Sequence, residues 1–572
     1  MVESVRPSAD TIRRILTDYI AAESVTGGFA ENSATEFLRG VFSSAPYFSE
    51  NNGSWGCYDI PEDFCGRSVF WAVIRGEGPQ TVVLIHHSDV AGVEDFGSLK
   101  DIAFSPDALR DALLKIRGSL SPDARADLES GAFLFGHGGA DMKGGGAVQI
   151  ALMLRFGELI KREDVKFRGN VIMLALPDEE NLSAGMCAAT GLLASLKKRH
   201  GFDYRLTINS EPHQRRDFSR GVFSAGSVGK AMPFYYARGS LAHISKVFEG
   251  VNPIGILSAL VRATELNLAF SDVSGGEAAP PPTWSYFRDR KDAYDVSMPL
   301  SAAGCFSILT LGRDMNRIAR ELRETAEVAA GEVYRRANES YRRYLALTAG
   351  NAGTAEAEDD RPADFPYTIT VSSFDELLRE AEKDGGEEFR RAWTQRQAAA
   401  NDNFTRPASE DSRTAAELTF ELIDFVFDRI RDLRPRIVFG LLPPWYPAVS
   451  NIFLDKAEAD SKALTRKLAA FSADRFGVPY DTENFYTGIS DLSYAGYGID
   501  ARAEQALTAL MPLYGGRYTI PFGDIAEIAM PVINIGPWGK DFHKLTERVL
   551  IDDVCRHTPE IILAALSECG IW

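Results

Sequence analysis

Eight histidines are spread over 572 residues, and two of them stand among acids in positions where chemistry could be done. His87 closes the apolar run TVVLIHH and precedes Asp89 by two residues. Asp141 lies in the glycine-rich string GHGGADMKGGG, Glu179 and Glu180 follow VIMLALPD, Glu211 follows LTINS, and His543 follows PVINIGPWGKDF. Two imidazoles with three or four carboxylates form a hard-to-borderline donor set. It suits zinc, manganese or cobalt and lacks the thiolates of a structural zinc site. Four carboxylates in one pocket would repel one another unless divalent cations neutralised them. One aspartate can bridge two metals while each takes one histidine and one glutamate, leaving room for a water that two metals can deprotonate near neutral pH. Adjacent glutamates suit a division of labour, one ligating and one taking the proton from water.

Each string alone is weak. An H-x-D pair at a strand end is ordinarily structural, a DEE triplet is ordinarily a solvated turn, and Gly144–Gly146 could equally suggest phosphate at a helix N-terminus. Against phosphate, no Walker pattern is present and the neighbouring acids would repel an anion. What carries weight is that every string ends a predicted strand or lies in a loop, and open α/β sheets bind ligands beyond the carboxyl ends of their strands.

The elements that must position these residues read as follows. Residues 69–89 suggest a hairpin, VFWAVIR and TVVLIHHSD about a GEGPQ turn. A partly helical insertion spans about 97–130, and the glycine loop then runs into a helix. VIMLALP (171–177), a small-residue helix near 183–198 and YRLTINS (204–210) continue the alternation of an open sheet covered on both faces. Beyond about 234 the texture changes. FYYARGSLAHIS suggests a strand, NPIGILSALVRATEL a helix, and 296–312 a strand pair interrupted by Pro299 and Gly304. Charged helices follow at 313–345 and 412–432, and 349–365 reads as an Ala/Gly/acid linker in a mobile surface loop. PYTITVSS and RPRIVFGLLPP suggest further strands. From about 450 the α/β texture returns, with a helix at 455–475, a strand at 530–536 and a C-terminal helix. The expected architecture is one α/β domain in two parts, 1–235 and 449–572, split by an insertion at 236–448.

Composition sets outer limits. Lys plus Arg total 62 against 80 acids, a formal charge of −18, which argues against nucleic acid or an anionic membrane as partner. The longest uncharged runs are broken by prolines, so no membrane span is expected. Six scattered cysteines without a CxxC pair suggest free thiols in a reducing, cytoplasmic setting.

Together, HHSD, GGADMKGG, PDEE, SEP and the late F-H-x-L-x-E string resemble the M20 family of metallopeptidases and amidohydrolases. The resemblance covers roughly 10–240 and 450–572. Overall length, the long insertion, GISDLSY and GLLPPWYP look most like the arginine-utilisation (RocB) group. The resemblance implies a zinc-peptidase-like mixed sheet, split by an α+β lid and dimerisation domain enlarged by extra helices. His87, Asp141 and Glu211 would hold one metal, and Asp141, Glu180 and His543 the other, zinc first among the candidate ions. Asp89 would hydrogen-bond the far nitrogen of His87, Glu179 would be general base and acid, and Glu547 matches the trailing H-x-x-x-E. In the lid, RGSLAHIS with EGVNPI points to His243 as oxyanion donor and Asn252 as substrate contact. Three features depart from the family or leave it open. The lid is oversized; the family's carboxylate-gripping arginine has no clear match, Arg313 being a guess; and GISD hints that Asp491 stands near the cleft.

The expected function is hydrolysis of an amide, peptide or N-acyl bond in a small amino-acid-derived substrate, within amino-acid and perhaps arginine catabolism, by a homodimer. The alternative is a non-catalytic binding or assembly protein derived from the same family and acting through its helical insertion.

Overall fold

The computed structural model describes residues 5–215, 217–291, 293, 295–349, 362–407, 413–454, 457–496 and 502–572. The core of the expected linker, 350–361, and the start of the helix expected at 455 lie outside the described residues. Helix α1 (Ala9–Ile20) is capped by Ser8, whose hydroxyl accepts from the Thr11 amide, and buries Ile12, Ile15, Leu16 and Tyr19 at helical spacing. Strands β1 (Trp55–Asp59), β2 (Ser68–Ile74) and β3 (Gln80–His87) follow. Helix α2 (Gly144–Lys161) leads to β4 (Asn170–Leu176), and α3 (Ala184–His200) to β5 (Asp203–Asn209) and β6 (Gly221–Ser224). The insertion contains β7 (Gly229–Arg238), α4 (Pro253–Thr264), β8 (Thr283–Asp289), β9 (Ser301–Thr310), α5 (Met315–Ala349), β10 (Thr370–Ser373), α6 (Phe374–Phe404), α7 (Ala415–Phe427) and β11 (Arg436–Tyr446). The chain closes with α8 (Ala457–Phe476), β12 (Tyr480–Glu483), α9 (Arg502–Leu510), β13 (Val532–Asn534) and α10 (Thr558–Glu568).

Eight strands form the main sheet in the order β1-β2-β4-β3-β5-β13-β6-β12. Within it β4, β3, β5 and β13 run parallel, so their carboxyl ends share one edge. Their interior residues are buried on both faces; Val82, Val83, Leu84 and Ile85 have no exposed surface, as expected of parallel strands covered by helices. The expected 69–89 hairpin is absent. β4 lies between β2 and β3, antiparallel to the first and parallel to the second. The intended turn is occupied elsewhere: the Glu77 amide donates to the Phe167 carbonyl at 3.1 Å and the Gly78 amide to the Arg168 carbonyl at 2.5 Å. These bonds hold the turn against the approach to β4, leaving β2 and β3 one strand apart.

A second sheet has the order β8-β9-β7-β11-β10. β7 begins at Gly229, so a boundary at 235/236 falls inside that strand. Residues 296–312 contribute one strand, not two. Gly304 lies within β9 rather than at a turn, where an added Cβ would meet the Trp284 ring at 2.6 Å. Helices α6 and α7 each begin with a reciprocal capping box, Ser373 with Glu376 and Thr414 with Glu417. A buried cluster runs through both sheets, joining Val83 and Ile172 of the first to Phe306 and Ile437 of the second. All six cysteines are free, and among the described residues no helix is long and apolar enough to cross a membrane.

Candidate metal centre

The shared carboxyl edge of the parallel strands gathers the expected residues. His87 ends β3, Glu179 and Glu180 follow β4, Glu211 lies two residues past β5, and His543 lies beyond β13. Asp141 reaches the same point from the loop before α2. Its two oxygens face different imidazoles: Oδ1 is 3.0 Å from His87 Nε2 and Oδ2 is 3.2 Å from His543 Nε2. Glu211 Oε1 lies 3.5 Å from His87 Nε2, and Glu180 Oε1 lies 2.9 Å from His543 Nε2. Donor atoms within 4.8 Å of one another form the sets His87/Asp141/Glu211 and Asp141/Glu180/His543, with a third, His87/Glu179/Glu180, drawing in the predicted base.

The residues fit divalent cations. Glu180 Oε1 is buried and lies 2.9 Å from His543 Nε2, so imidazole and carboxylate donor atoms converge on one point. Burial pushes the carboxyls of Glu179 and Glu211 well up, and their acidic neighbours add to the shift. Burial also raises Glu180, although His543 opposes it. The Asp141 and Glu180 contacts drive His543 up to about 11. Burial disfavours charge on His87, yet Glu211 and Asp141 carry it well above its ordinary value. This much like charge in one buried place calls for a cation.

Several anchors hold the loops. Asp89 acts differently from expectation. The His87 Nδ1–H donates to the Asp89 main-chain carbonyl at 2.9 Å, while the Asp89 carboxylate is 3.7 Å away. That carboxylate accepts instead from the amides of Glu179 and Glu180, both at 3.2 Å, and from the Thr26 hydroxyl at 2.8 Å. One residue therefore fixes the His87 tautomer, freeing Nε2, and also aims the two glutamates. Glu547 accepts from the amides of Gly138, Ala140 and Asp141 at 3.0–3.1 Å and from His137 Nδ1 at 3.1 Å, so it shapes the loop that carries Asp141.

Other anchors were not read from the sequence. Buried Arg67 joins Asp63, Glu31 and Asp178 at 2.5–2.8 Å. Asp178, with φ +71°, receives the amides of Leu182 and Ser183 on its carbonyl and so folds the loop that presents Glu179 and Glu180. Fully buried Arg548 clamps Asp123, Asp127 and Asp541 beside His543, which itself adopts φ +62°. Gly145 lets α2 approach β5, since a Cβ there would lie 2.1 Å from the Ser210 carbonyl. The Tyr486 hydroxyl lies 3.5 Å from the Pro212 carbonyl, next to Glu211, and a Cβ on Gly488 would meet that hydroxyl at 2.6 Å.

The insertion's candidates sit apart from this cluster. His243 is exposed and caps the short helix Ile244–Glu249, its Nδ1 accepting from the Ser245 amide. Asn252 is exposed and caps α4 by accepting from the Ile254 amide at 3.0 Å. Arg313 is spent internally, at 2.9 Å from Glu321 and 3.8 Å from Asp272. Asp491 does stand at the cluster. It is buried, neither of its carboxylate oxygens has a hydrogen-bond partner, and burial raises it to about 7.

Comparison with known proteins finds relatives along nearly the whole chain. The sequence profile of peptidase family M20/M25/M40 matches residues 120–556. The Bacillus subtilis protein YqjN is 28% identical over 98% of this chain and 96% of its own length. Protein RocB of the same organism is 27% identical over 95% of this chain and 92% of its own. A tripeptidase from Staphylococcus aureus superposes with TM-score 0.52 at 12% identity, covering 99% of each chain.

Proposed function

The chain belongs to peptidase family M20/M25/M40, and from that premise we propose that it is a dinuclear metallohydrolase acting on an amide, peptide or N-acyl bond of a small amino-acid-derived compound. The observation that carries this reading is the split of Asp141 between two imidazoles, one oxygen toward each. His87, Asp141 and Glu211 would hold one ion and Asp141, Glu180 and His543 the other, with zinc first and manganese or cobalt as alternatives. Bound divalent cations supply Lewis acidity and lower the pKa of water. Glu179, on the same loop as Glu180, removes a proton from the attacking water and returns it to the leaving nitrogen; burial raises its carboxyl and so makes the ionised form a stronger base. Asp89 keeps both glutamates aimed.

His243 donates to the oxyanion and Asn252 touches substrate once the insertion meets the cleft, either by closure or from a second copy in a homodimer. Exposed Leu241, Ile244, Val296 and Leu300 around His243 support a covered face. The similarity to RocB supports arginine-related amino-acid catabolism, and the free thiols a cytoplasmic setting. The test joins metal analysis to a screen of dipeptides and N-acyl amino acids. Wild type is expected to bind about two ions per chain and turn over a member of the panel. H87A should lose metal, and E179Q should keep metal while losing about 10²–10⁴-fold in kcat. Unchanged metal stoichiometry in H87A would sink the assignment.

A further inference from the structure

A cavity of about 310 Å³ lies where the end of the insertion's helix α6 meets the main sheet, and none of the candidate metal ligands lines it. One wall is α3, which presents the small side chains of Ala184, Cys187 and Ala188, and then Gly191, at helical spacing. Aromatic rings stand on the other sides: Tyr58 near the end of β1, Phe404 at the end of α6, and Tyr518. The small-residue helix, which the metal chemistry does not use, leaves a space of the size that small-molecule sites have. A Cβ on Gly191 would lie 3.3 Å from Asp524 Oδ2 and 3.7 Å from the Tyr58 hydroxyl. The glycine therefore leaves both polar atoms beside one open point.

The charges around the cavity do not balance. Arg67 is committed to Asp63, Glu31 and Asp178, and Arg517 to Asp402 at 2.8 Å and Glu62 at 3.6 Å. Arg406 is exposed and lies over the Phe64 ring, 5.2 Å from its centroid. Asp524 is half-buried, and among the described residues its carboxylate makes no hydrogen bond or ion pair; the Tyr58 hydroxyl likewise has no partner. A partly desolvated carboxylate beside a free hydroxyl and aromatic rings attracts a cation. An anion would meet Asp524 and would also face Asp63 and Asp178, which line the same cavity.

We propose that this cavity binds a small organic cation, an ammonium or guanidinium on an apolar body. Asp524 and the Tyr58 hydroxyl accept from the charged end, and the rings with the small-residue face of α3 enclose the body. The site is separate from the metal centre and does not depend on the hydrolase reading. It is nevertheless joined to that centre. Asp178, Asn181 and Leu182 also line the cavity, and Asp178 folds the loop that presents Glu179 and Glu180. An occupant touches that loop and braces it, and coupling of two sites through a shared element is reciprocal. Occupancy by the cation is thereby a means of regulating the centre.

Benzylamine, benzyl alcohol and benzoate share one ring and differ in charge, and calorimetry with the metal-loaded protein ranks them. Wild type should bind benzylamine with a Kd of about 1 mM or tighter. Benzyl alcohol should bind at least about 10-fold more weakly, and benzoate not at all. D524N keeps the shape of the cavity and should bring benzylamine down to the alcohol's level. A188F puts a ring into the cavity and should abolish binding of both. D524N should melt with wild type, so its result stands even if A188F does not fold. No binding of benzylamine, equal binding of the alcohol or of benzoate, or amine binding unchanged in D524N would each overturn the proposal. The link to the loop is read without turnover, by competition for metal with a chelating dye. Saturating benzylamine should raise metal affinity about 5-fold in wild type, and the same concentration should leave that of D524N unchanged. An unshifted affinity in wild type would refute regulation of the centre. Failure to cleave any amide would defeat the hydrolase reading and leave this site standing.

Discussion

The strand-end loops of the main sheet and the first loops of the insertion both carry predicted functional residues, and they hold them in opposite ways. On the main sheet several of the candidates rest on buried charge: Asp141 on Glu547, Glu179 and Glu180 on Asp89, and the His543 turn on Arg548. In the insertion, His243 and Asn252 are exposed and do nothing but cap helices. The difference teaches that one half of the site is built before substrate arrives, at the expense of local strain and buried ions. The other half is presented at the surface, and on the proposed function it would act only when something meets it.

The contrast is tested most severely at Arg67. It is only 7% exposed and neutralises three acids, one of which folds the Glu179–Glu180 loop. Removing one partner from a buried ionic network strands the others, so R67M should lower unfolding stability by about 3–5 kcal/mol. Denaturant melts of the metal-free protein read this. A loss below about 1 kcal/mol, the worth of a surface pair, would mean that the buried ions do not hold the edge.

His243 gives the reciprocal result. H243Q removes an exposed cap, so melting and metal content should stay at wild-type values. A lost oxyanion donor should nevertheless cost about 10²–10³-fold in kcat. Unchanged turnover would leave His243 as a cap and confine the chemistry to the main sheet. Smaller again is E547Q, where three amides keep an oxygen but lose the negative charge that orders them. Metal affinity should weaken about 10–100-fold, measured by competition with a chelating dye.

The candidate ligands were legible in the sequence because each is a metal-binding type placed just after an apolar strand or in a glycine loop. Their partners were not. Arg67 reaches Asp178 across 111 positions and Glu547 reaches Gly138 across 409, and no local pattern joins residues so far apart. Strand order was illegible for a related reason: β2, β3 and β4 are apolar through their interiors, and such strands carry no alternation that names a neighbour. Gly304 suggests an interruption in the sequence, but glycine serves equally where a ring crosses a strand, and here Trp284 does.

The finest test concerns His137, whose two nitrogens face acceptors, Glu547 at 3.1 Å and the Ala91 carbonyl at 2.7 Å. Acceptors on both sides favour the imidazolium form of the ring. Burial opposes that charge, but the Glu547 carboxylate prevails and the pKa lies above its ordinary 6.5. A group raised in the folded state contributes fully below its unfolded pKa, and the contribution fades as pH climbs through the folded value. Metal-free wild type should therefore lose melting temperature relative to H137Q as pH rises from 6 upward, with the two converging once the folded ring has titrated. Because other groups of the cluster titrate in both proteins, the quantity to follow is the difference between them. A difference that is flat with pH would show a neutral ring donating one proton to Glu547, and the Asp141 loop would then rest on the carboxylate alone.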